Sequence, residues 1–400
     1  ANTAARSYAC VDRGQIVSPI DARALDLVLD PAGSGRMLPQ PAYTSADVLA
    51  WEREHFYANT WVCAGRITDL ADAGDRRAVR IGDDAVLLVR GDDGVLRAFF
   101  NTCRHRGHEL MPCGASARRN AIHCPYHAWT YGLDGSLRAT PRFDPPPGFD
   151  LSEYGLVPVR CEEWQGWLMV NVSGDAPPLA EHVGALDALI APYECGRLVV
   201  AASHEYTLQA NWKLPIENYH ECYHCPAIHP ELCVVSPPTS GDNYDLPGMW
   251  FGGTMDLEPH AETMSMSGTS GGVVLRGLDE RLRREVMYVG LFPNLLLSLH
   301  PDYVMTHRIE PRAANESWVE CQWLFAPEAT ERDDFDPSYA VDFWDVTNRQ
   351  DWHACEGVQR GVESRGYRPG PFSRAEDAVQ QFVTFVARSY LDGSLNPTES

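Results

Sequence analysis

Short stretches rich in hydrophobic residues and separated by polar ones, in the first half of this 400-residue chain, predict a series of short β-strands. The first three are predicted at residues 79–81, 86–89 and 96–100, each of them short and rich in apolar residues. The Gly-Asp-Asp-Gly sequence at residues 91–94 has the composition of a hairpin turn between the second and third strands. This region is therefore predicted to be antiparallel β structure.

Helical spacing of apolar residues alternates with further strands in the rest of the chain. Ser45 is an N-cap residue type, and Ser373 with Glu376 has the sequence of a capping box, so each is predicted to begin a helix. The predicted helices lie at residues 46–56, 179–193 and 341–360, and a last helix runs from the capping box to about residue 390. The further predicted strands lie at residues 156–159, 167–172, 199–208, 286–299, 304–310 and 318–325.

This order of elements predicts an α+β fold with two main domains. A chain of this length favours two or three domains, and the Asp-Ala-Pro-Pro sequence at residues 175–178 has the composition of a boundary. We predict an N-terminal segment at residues 1–58 that packs on the second domain, a β domain at residues 59–175 and a second domain at residues 176–400.

Charge and composition argue against several classes of partner. The formal net charge is −22 and the pI is about 5.0, which argues against binding to nucleic acid or to an anionic membrane. No run approaches the ~18 apolar residues of a membrane span, and the start of the chain has no signal-peptide pattern. Twelve cysteines spread along the chain predict metal ligands or buried thiols in a reducing compartment. The sequence therefore predicts a cytoplasmic protein.

The densest chemistry lies near the middle of the chain, where histidines and carboxylates crowd into one short segment. Glu221 and His224 are three residues apart, so on a helix they share a face. Pro226 is predicted to end that helix, and the turn that follows can bring His229 back to His224. Two imidazoles and a later carboxylate form the facial triad that holds non-haem Fe(II). An alternative pairs His220 with His224, because a spacing of four residues also suits a metal.

The third ligand must be a downstream carboxylate, and the predicted helix at residues 341–360 offers several. At helical spacing Asp351 shares a face with Trp344 and Cys355. An ionised carboxylate on an apolar face is costly unless a metal or another cation compensates it, so Asp351 is the predicted ligand. Asp345 is the alternative, and a buried ion pair without a metal is the other interpretation that the pattern leaves open.

A second constellation precedes the first along the chain. Cys103 and His105 are separated by one residue, and Cys124 and His127 are separated by two. Two cysteines and two histidines can bind zinc, although zinc sites more often separate the cysteine pair from the histidine pair. Here each pair combines one cysteine with one histidine, which instead suits a [2Fe–2S] cluster. Both cysteines would bind one iron and both histidines the other, which is the arrangement of a Rieske centre.

The residues around both constellations resemble those of a known family. Cys103-Arg-His105-Arg-Gly-His and Cys124-Pro-Tyr-His127-Ala-Trp resemble the Rieske domain of ring-hydroxylating oxygenase α subunits. Residues 211–229 resemble the mononuclear-iron motif of the same family. The resemblance implies an antiparallel β Rieske domain combined with a helix-grip catalytic domain, in which helices pack on a curved antiparallel sheet.

In this family the iron motif is an acidic residue, two residues, a histidine, four residues and a second histidine. Glu221, His224 and His229 fit that spacing, and the alternative histidine pair does not. The resemblance implies that the two histidines and Asp351 bind Fe(II). It also implies that Glu221 is not a ligand but bridges to a cluster histidine of the neighbouring subunit, with His127 the expected partner, and passes electrons.

The resemblance further implies the cofactors and partners of the chain. Cys103, His105, Cys124 and His127 would bind the [2Fe–2S] cluster, and O₂ would be activated at the mononuclear iron. Electrons would come from NAD(P)H through a separate reductase with flavin and an iron–sulfur cluster, because the chain has no dinucleotide or flavin fingerprint. The active unit would be a homotrimer. Cys113 lies in a slightly long stretch between the cluster loops and has no matching cysteine in the other loop, so it is predicted to be a free thiol.

The acidic residue of the iron motif is a glutamate here, Glu221, as in family members that resemble carnitine, glycine betaine and stachydrine oxygenases. That branch implies monooxygenation of an N-methyl group on a quaternary ammonium or N-methylated small molecule, followed by loss of formaldehyde. Aromatic residues of the second domain could form a cation–π cage, namely Trp250, Phe251, Tyr288, Phe292, Tyr303 and Trp323. The alternatives are hydroxylation or dihydroxylation of an aromatic or aliphatic carbon in a neutral or acidic molecule, and a Rieske electron-transfer protein without oxygenase activity.

Overall fold

The computed structural model describes residues 18–29, 35–393 and 395 of the chain. Its first ten strands are β1 Val62–Arg66, β2 Asp75–Ile81, β3 Asp84–Arg90, β4 Leu96–Phe100, β5 Ser116–Arg118, β6 Ile122–His123, β7 Thr130–Tyr131, β8 Leu137–Ala139, β9 Pro158–Trp164 and β10 Trp167–Asn171. The strands that follow are β11 Val199–Leu208, β12 Asp242–Asn243, β13 Trp250–Asp256, β14 Glu285–Leu291, β15 Leu295–Leu299, β16 Tyr303–Ala313 and β17 Glu316–Phe325.

The α-helices lie before, between and after these two groups of strands. They are α1 Ala22–Leu25, α2 Pro41–Thr44, α3 Ala46–Glu52, α4 Leu179–Val183, α5 Leu186–Ile190, α6 Lys213–Tyr219, α7 Cys225–Ile228, α8 Pro230–Val235, α9 Pro327–Thr330, α10 Ser338–Val362 and α11 Asp377–Asp392. Among the described residues, none of the helices combines the length and the apolar character needed to cross a membrane.

The strands of the first group form two antiparallel sheets. The larger sheet has the order β1-β10-β9-β4-β3-β2-β5, and the smaller has the order β6-β7-β8. Strands β3 and β4 pair through the predicted turn, where Gly94 has a φ of +75° that favours glycine. A separate apolar core contains Trp129 and Tyr131, next to the smaller sheet. The loops that carry the cluster candidates therefore rest on packed structure.

The strands of the second group form one antiparallel sheet in the order β11-β17-β16-β15-β14-β13-β12. Helix α11 packs against β13, α10 packs against β11, and both helices contact α6. An antiparallel β domain followed by a helix-covered antiparallel sheet confirms the predicted α+β fold. The boundaries at residues 58/59 and 175/176 stay a prediction, although no strand pairing of the described residues crosses from one group of strands to the other.

The predicted strand at residues 286–299 is in fact two strands, β14 and β15, because Pro293 and Asn294 turn the chain between them. The side chain of Asn294 hydrogen-bonds the backbone of Cys63 in β1 in the way that a neighbouring strand would. It accepts a hydrogen bond from the Cys63 N–H at 2.9 Å and donates one to the Cys63 carbonyl at 3.0 Å. This turn therefore holds the first domain against the second.

The predicted helix at residues 179–193 is interrupted between α4 and α5 by Gly184, which has a φ of +50°. A side chain there would meet the Pro247 carbonyl oxygen, since a Cβ atom would lie 2.2 Å from it. The predicted strand at residues 156–159 also differs, because β9 starts later and runs to Trp164. The pattern of apolar residues predicted the positions of this helix and this strand, but it did not predict the exact residues at which they begin, end or are interrupted.

Several other predicted elements lie close to their expected positions. Strand β11 coincides with residues 199–208, and α10 contains the predicted helix and extends beyond both ends. Ser45 caps α3 by accepting a hydrogen bond from the Val48 N–H at 3.4 Å. Ser373 and Glu376 form the predicted capping box ahead of α11. Helix ends that depend on local hydrogen bonds were therefore predictable from the sequence.

A buried ion pair joins the N-terminal segment to the second domain. Lys213, the only lysine in the sequence, lies at the start of α6 with its Nζ atom 2.6 Å from the Glu52 carboxylate, and both side chains are fully buried. Trp212 donates a hydrogen bond to the same carboxylate at 2.8 Å, and the Tyr390 hydroxyl of α11 donates another. Helices α3, α6 and α11 thus meet at one buried carboxylate.

Removing the cation from this pair should destabilise the protein strongly. In Lys213→Met the Glu52 carboxylate stays buried without its counter-charge, and breaking a buried pair in this way costs about 3–5 kcal/mol. The measurement is the midpoint of thermal unfolding. Arg332→Met breaks the exposed pair with Asp334 and is the control, which should unfold like the parent protein. Unfolding of Lys213→Met at the parent temperature would contradict this role of the pair.

Candidate active site

Residues 220–224 form a loop between α6 and α7, where the sequence predicted a continuous helix. The Glu221 carboxylate accepts hydrogen bonds from the backbone N–H groups of Tyr223 and, at 3.1 Å, His224. Pro226 lies in the first turn of α7. A residue without an N–H is well tolerated there, so Pro226 begins a helix instead of ending one. Glu221 and His224 therefore meet through the loop and not through a shared helical face.

The loop, the end of α7 and helix α10 bring three donor atoms together. His224 Nε2 lies 3.1 Å from His229 Nε2 and 3.4 Å from Asp351 Oδ1. His229 Nε2 lies 2.8 Å from the same aspartate oxygen. Metal–ligand bonds of about 2.1 Å that meet at right angles place neighbouring donors about 3 Å apart. The three side chains therefore have the spacing and chemistry of a two-histidine, one-carboxylate facial triad.

Neighbouring oxygen atoms fix the orientation of both imidazole rings. His229 Nδ1 lies 2.7 Å from the side-chain oxygen of Gln350, and His224 Nδ1 is hydrogen-bonded to Glu221. Each of these acceptors favours an imidazole proton on Nδ1, so that Nε2 is the nitrogen that can bind a metal once it carries no proton. Only 2% of the His229 side chain and 16% of the Asp351 side chain are exposed, so water has limited access to the donors.

The charges around the three donors are mainly negative. Burial alone would lower the pKa of His224, but its hydrogen bonds with Asp351 and Glu221, and the charges of these two groups, raise it to about 9. Burial alone would raise the pKa of Asp351, but hydrogen bonds with both histidines, and their charges, hold it below its usual value. Such surroundings favour a cation at the point where the donors meet.

The two alternatives that the sequence offered lie outside this set. Asp345 accepts a hydrogen bond from Tyr206 and pairs with Arg349, each at 2.8 Å. His220 is buried against the sheet, and its Nε2 atom lies 3.2 Å from the carbonyl oxygen of Phe251. The side chains of Asp345 and His220 already have other hydrogen-bond partners. The geometry therefore favours Asp351 as the carboxylate ligand and His224 with His229 as the histidine pair.

The four cluster candidates lie on two neighbouring loops beside the smaller sheet. Cys103 and Cys124 are buried and contact each other, and the Tyr131 hydroxyl lies 3.2 Å from the Cys103 sulfur. The ring centroids of His105 and His127 are 4.7 Å apart. Both histidine Nδ1 atoms are buried and lack a hydrogen-bond partner among the described residues. Buried nitrogens normally have partners, so the loops fit a bound group that takes two thiolates and two imidazoles.

A cavity of about 690 Å³ opens onto the three donors, a volume in the range of small-molecule sites. Its walls come from the 220–224 loop, β13, β14, α10 and the turn before α11. Trp344, Thr347 and Asp351 face the cavity from successive turns of α10. The carboxylates that line it belong to Glu221, Asp242, Asp351 and Asp377.

One of the six aromatic residues predicted to form a cation–π cage, Tyr288, lines the cavity. The other five pack in apolar cores away from it, and they are Trp250, Phe251, Phe292, Tyr303 and Trp323. Tyr219, Tyr223 and Trp344 line the cavity as well. The ring of Trp344 lies 6.3 Å from that of Tyr288 at an angle of 68°. Its position two turns before Asp351 on the same helical face was the signal that could have identified it.

The cysteines show one difference from the sequence prediction. Cys222 and Cys225 form a disulfide on either side of His224, whereas only metal ligands and thiols were expected. Their spacing of three residues within the iron motif was the available signal. Cys113 is a free cysteine, as predicted.

Comparison with known proteins places both sites in a family. Residues 60–158 match the Rieske [2Fe-2S] domain, and residues 195–392 match the catalytic domain of the ring hydroxylating alpha subunit. The glycine betaine monooxygenase oxygenase subunit of Chromohalobacter salexigens is 33% identical over 383 residues, covering 88% of this chain and 86% of that protein. The chain belongs to the family of Rieske-type ring-hydroxylating oxygenase α subunits.

Two further proteins resemble this oxygenase along most of its length. The carnitine monooxygenase oxygenase subunit of Escherichia coli is 32% identical over 336 residues, covering 83% of this chain and 85% of the relative. A quaternary ammonium Rieske monooxygenase, whose solved structure concerns carnitine oxidation and inter-subunit electron transfer, has a TM-score of 0.79 at 26% identity. That match covers 94% of this chain and all of the other, which confirms the predicted architecture.

Membership of the family makes this oxygenase an oxidoreductase with a Rieske [2Fe–2S] cluster and a mononuclear iron. The two donor sets fit these groups, because one offers paired thiolates and unpartnered imidazole nitrogens and the other offers a facial triad. We propose that the cluster is held by Cys103, His105, Cys124 and His127, and the iron by His224, His229 and Asp351.

Replacing Asp351 with alanine should remove the mononuclear iron and leave the cluster in place, because the triad loses its only carboxylate. Iron content should fall from about three to about two atoms per chain, while the visible and EPR spectra of the cluster stay unchanged. Asp345→Ala, on the same helix, is the control and should keep all of its iron. Loss of iron from the control together with retention in Asp351→Ala would reverse the assignment.

Proposed function

We propose that this protein is the terminal oxygenase of a multicomponent system that hydroxylates an N-methyl group of a quaternary ammonium or N-methylated small molecule. The observation that carries the proposal is the cavity, which joins the three donor atoms to an aromatic corner formed by Tyr288 and Trp344. Relatives named for glycine betaine and carnitine support the same substrate class.

The charge of the cavity suits a cationic group. Its four lining carboxylates attract a positive ligand, and the chain as a whole carries a net charge of −22. A quaternary ammonium has no N–H to donate, so aromatic faces and carboxylate charge must hold it in place of hydrogen bonds. The faces of Tyr288 and Trp344 can supply about 2 kcal/mol to a desolvated cation.

The bound iron supplies the activation of O₂ with electrons from the cluster. The net change at an N-methyl carbon consumes one O₂, two electrons and two protons and gives a hydroxymethyl group and water. The carbon–nitrogen bond then breaks with its electrons on nitrogen, which releases formaldehyde, the amine and a proton. The protein holds the histidine tautomers through Gln350 and Glu221, and Thr347 and Trp344 form the wall beside the donors.

Electrons are proposed to cross between chains. Glu221 accepts a hydrogen bond from His224 in a loop where Tyr223 is 67% exposed. In the Rieske domain Tyr126 is 52% exposed beside His127, with ring centroids 3.7 Å apart. Both sites therefore approach the surface at an exposed tyrosine, which suits a head-to-tail contact, and such contacts close into rings. The proposed active unit is a homotrimer in which Glu221 faces His127 of the neighbouring chain.

The proposed electron donor is NAD(P)H, acting through a separate reductase that carries flavin and an iron–sulfur cluster. The relatives are named as oxygenase subunits, which points to other components, and the sequence lacks a dinucleotide-binding fingerprint. We also propose a cytoplasmic location for the protein, since NAD(P)H is available in the cytoplasm.

A single-turnover reaction tests the proposed chemistry without a known reductase. Protein reduced with dithionite and then exposed to O₂ should release formaldehyde from an N-methylated cation, and none from the neutral carbon isostere. Asp351→Ala is the control and should release none from either compound. Ring or chain hydroxylation of an aromatic or aliphatic acid, with no formaldehyde from any N-methyl compound, would favour the alternative reaction.

Mixed oligomers test the path between chains. Cys103→Ser lacks a cluster ligand and His224→Ala lacks an iron ligand, so each variant alone should be inactive. Co-expressed with distinguishable tags, they should form mixed rings in which an intact cluster lies beside an intact iron site, and part of the activity should return. Purified mixed rings without any activity would show that electrons stay within one chain.

A further inference from the structure

The cavity has one arginine and no lysine among its described lining residues, and that arginine is Arg374. Arg374 is exposed in the turn before α11 and forms no ion pair or hydrogen bond with another described residue. The nearest carboxylates along the chain are engaged elsewhere, because Glu376 closes the capping box with Ser373 and Asp377 accepts a hydrogen bond from the Asn243 side chain. Its guanidinium is therefore available to a ligand.

A second donor without a partner lies in the wall of the same cavity. The hydroxyl of Tyr288 is buried and has no hydrogen-bond partner among the described residues. Burial raises the pKa of this tyrosine far above its usual value, so the hydroxyl keeps its proton and can donate it in a hydrogen bond. A buried donor without an acceptor is unfavourable, which indicates that the ligand brings an acceptor atom.

A quaternary ammonium group cannot supply that acceptor, since its nitrogen has no lone pair. The acceptor must therefore belong to another part of the substrate, and a carboxylate is the group that a guanidinium binds best, through paired charge-assisted hydrogen bonds. We propose that Arg374 binds a carboxylate of the substrate and makes this oxygenase selective for betaines over N-methylated cations without a carboxylate. This inference rests on the proposed function and names the subset of quaternary ammonium compounds that the site accepts.

The charge of the cavity explains why such a residue is needed. Glu221, Asp242, Asp351 and Asp377 attract an ammonium group but repel a carboxylate on the same molecule. Arg374 offsets that repulsion at one place in the wall. A cation that carries no carboxylate gains nothing from Arg374, so removing the guanidinium should weaken the binding of one class of ligand only.

Calorimetric titration of the holoenzyme with two ligands tests this. Glycine betaine and choline share the trimethylammonium group, and a carboxylate in the first replaces the hydroxymethyl group of the second. The parent protein should bind glycine betaine at least about tenfold more tightly, a difference of about 1.4 kcal/mol. Arg374→Gln should remove that preference by weakening glycine betaine alone, and Arg374→Lys should keep part of it.

Arg365→Gln is the matched control, since Arg365 is exposed in the same segment and does not line the cavity. It should bind both ligands as the parent does. Equal affinities of the parent protein for the two ligands, or equal losses for both in Arg374→Gln, would overturn the role of Arg374 and leave N-demethylation standing. Failure of the parent protein to bind either ligand, with no formaldehyde released in single turnover, would overturn the proposed function itself.

Discussion

The largely buried carboxylate of Asp351 lies beside two imidazoles. The rest of the catalytic domain depends on how this carboxylate is stabilised. A buried carboxylate is unfavourable unless cations or hydrogen-bond donors surround it. His224 and His229 come from a loop and a helix end, whereas Asp351 comes from a helix more than a hundred residues later. An Fe(II) ion bound by all three would neutralise charge and connect these distant segments, so the site and the packing of α10 depend on each other.

Helix α6, which precedes the loop that carries His224, is fixed at both ends. At its start Lys213 and Glu52 form the buried pair that ties α6 to the N-terminal segment. At its end His220 lies over β14 at Gly290, where a Cβ atom would come within 2.6 Å of the imidazole ring. The Lys213–Glu52 ion pair and the missing side chain at Gly290 thus position the loop against the sheet. These supports help to hold the donor atoms at a spacing that the sequence motif alone does not fix.

Metal chemistry was the most predictable part of this protein, because few residue types at fixed spacing can hold iron or a cluster. Local backbone geometry was harder, since Pro226 is compatible with the end of one helix and with the beginning of another. The disulfide between Cys222 and Cys225 was not predicted, because cysteines inside a metal motif are equally compatible with free thiols and with metal ligands. The aromatic cage was mostly misplaced because sequence does not say which face of a strand meets a cavity. Tyr288 lines it, whereas Trp250 and Phe251 on the neighbouring strand β13 do not.

The residues proposed to recognise the substrate therefore lie outside both metal motifs. Trp344 lies seven residues before Asp351 on α10, which places the two about 10 Å apart along the helix axis. Arg374 comes from the turn before α11, an element that carries no ligand candidate. The proposed binding mode places an N-methyl group at the three donor atoms and a second group of the substrate against these walls, so the ligand needs two chemically distinct ends. Binding the iron limits the three ligands to a few residue types. The residues that line the rest of the cavity can be substituted without changing those ligands. Members of one family can thus share iron chemistry and differ in the molecule that they oxidise.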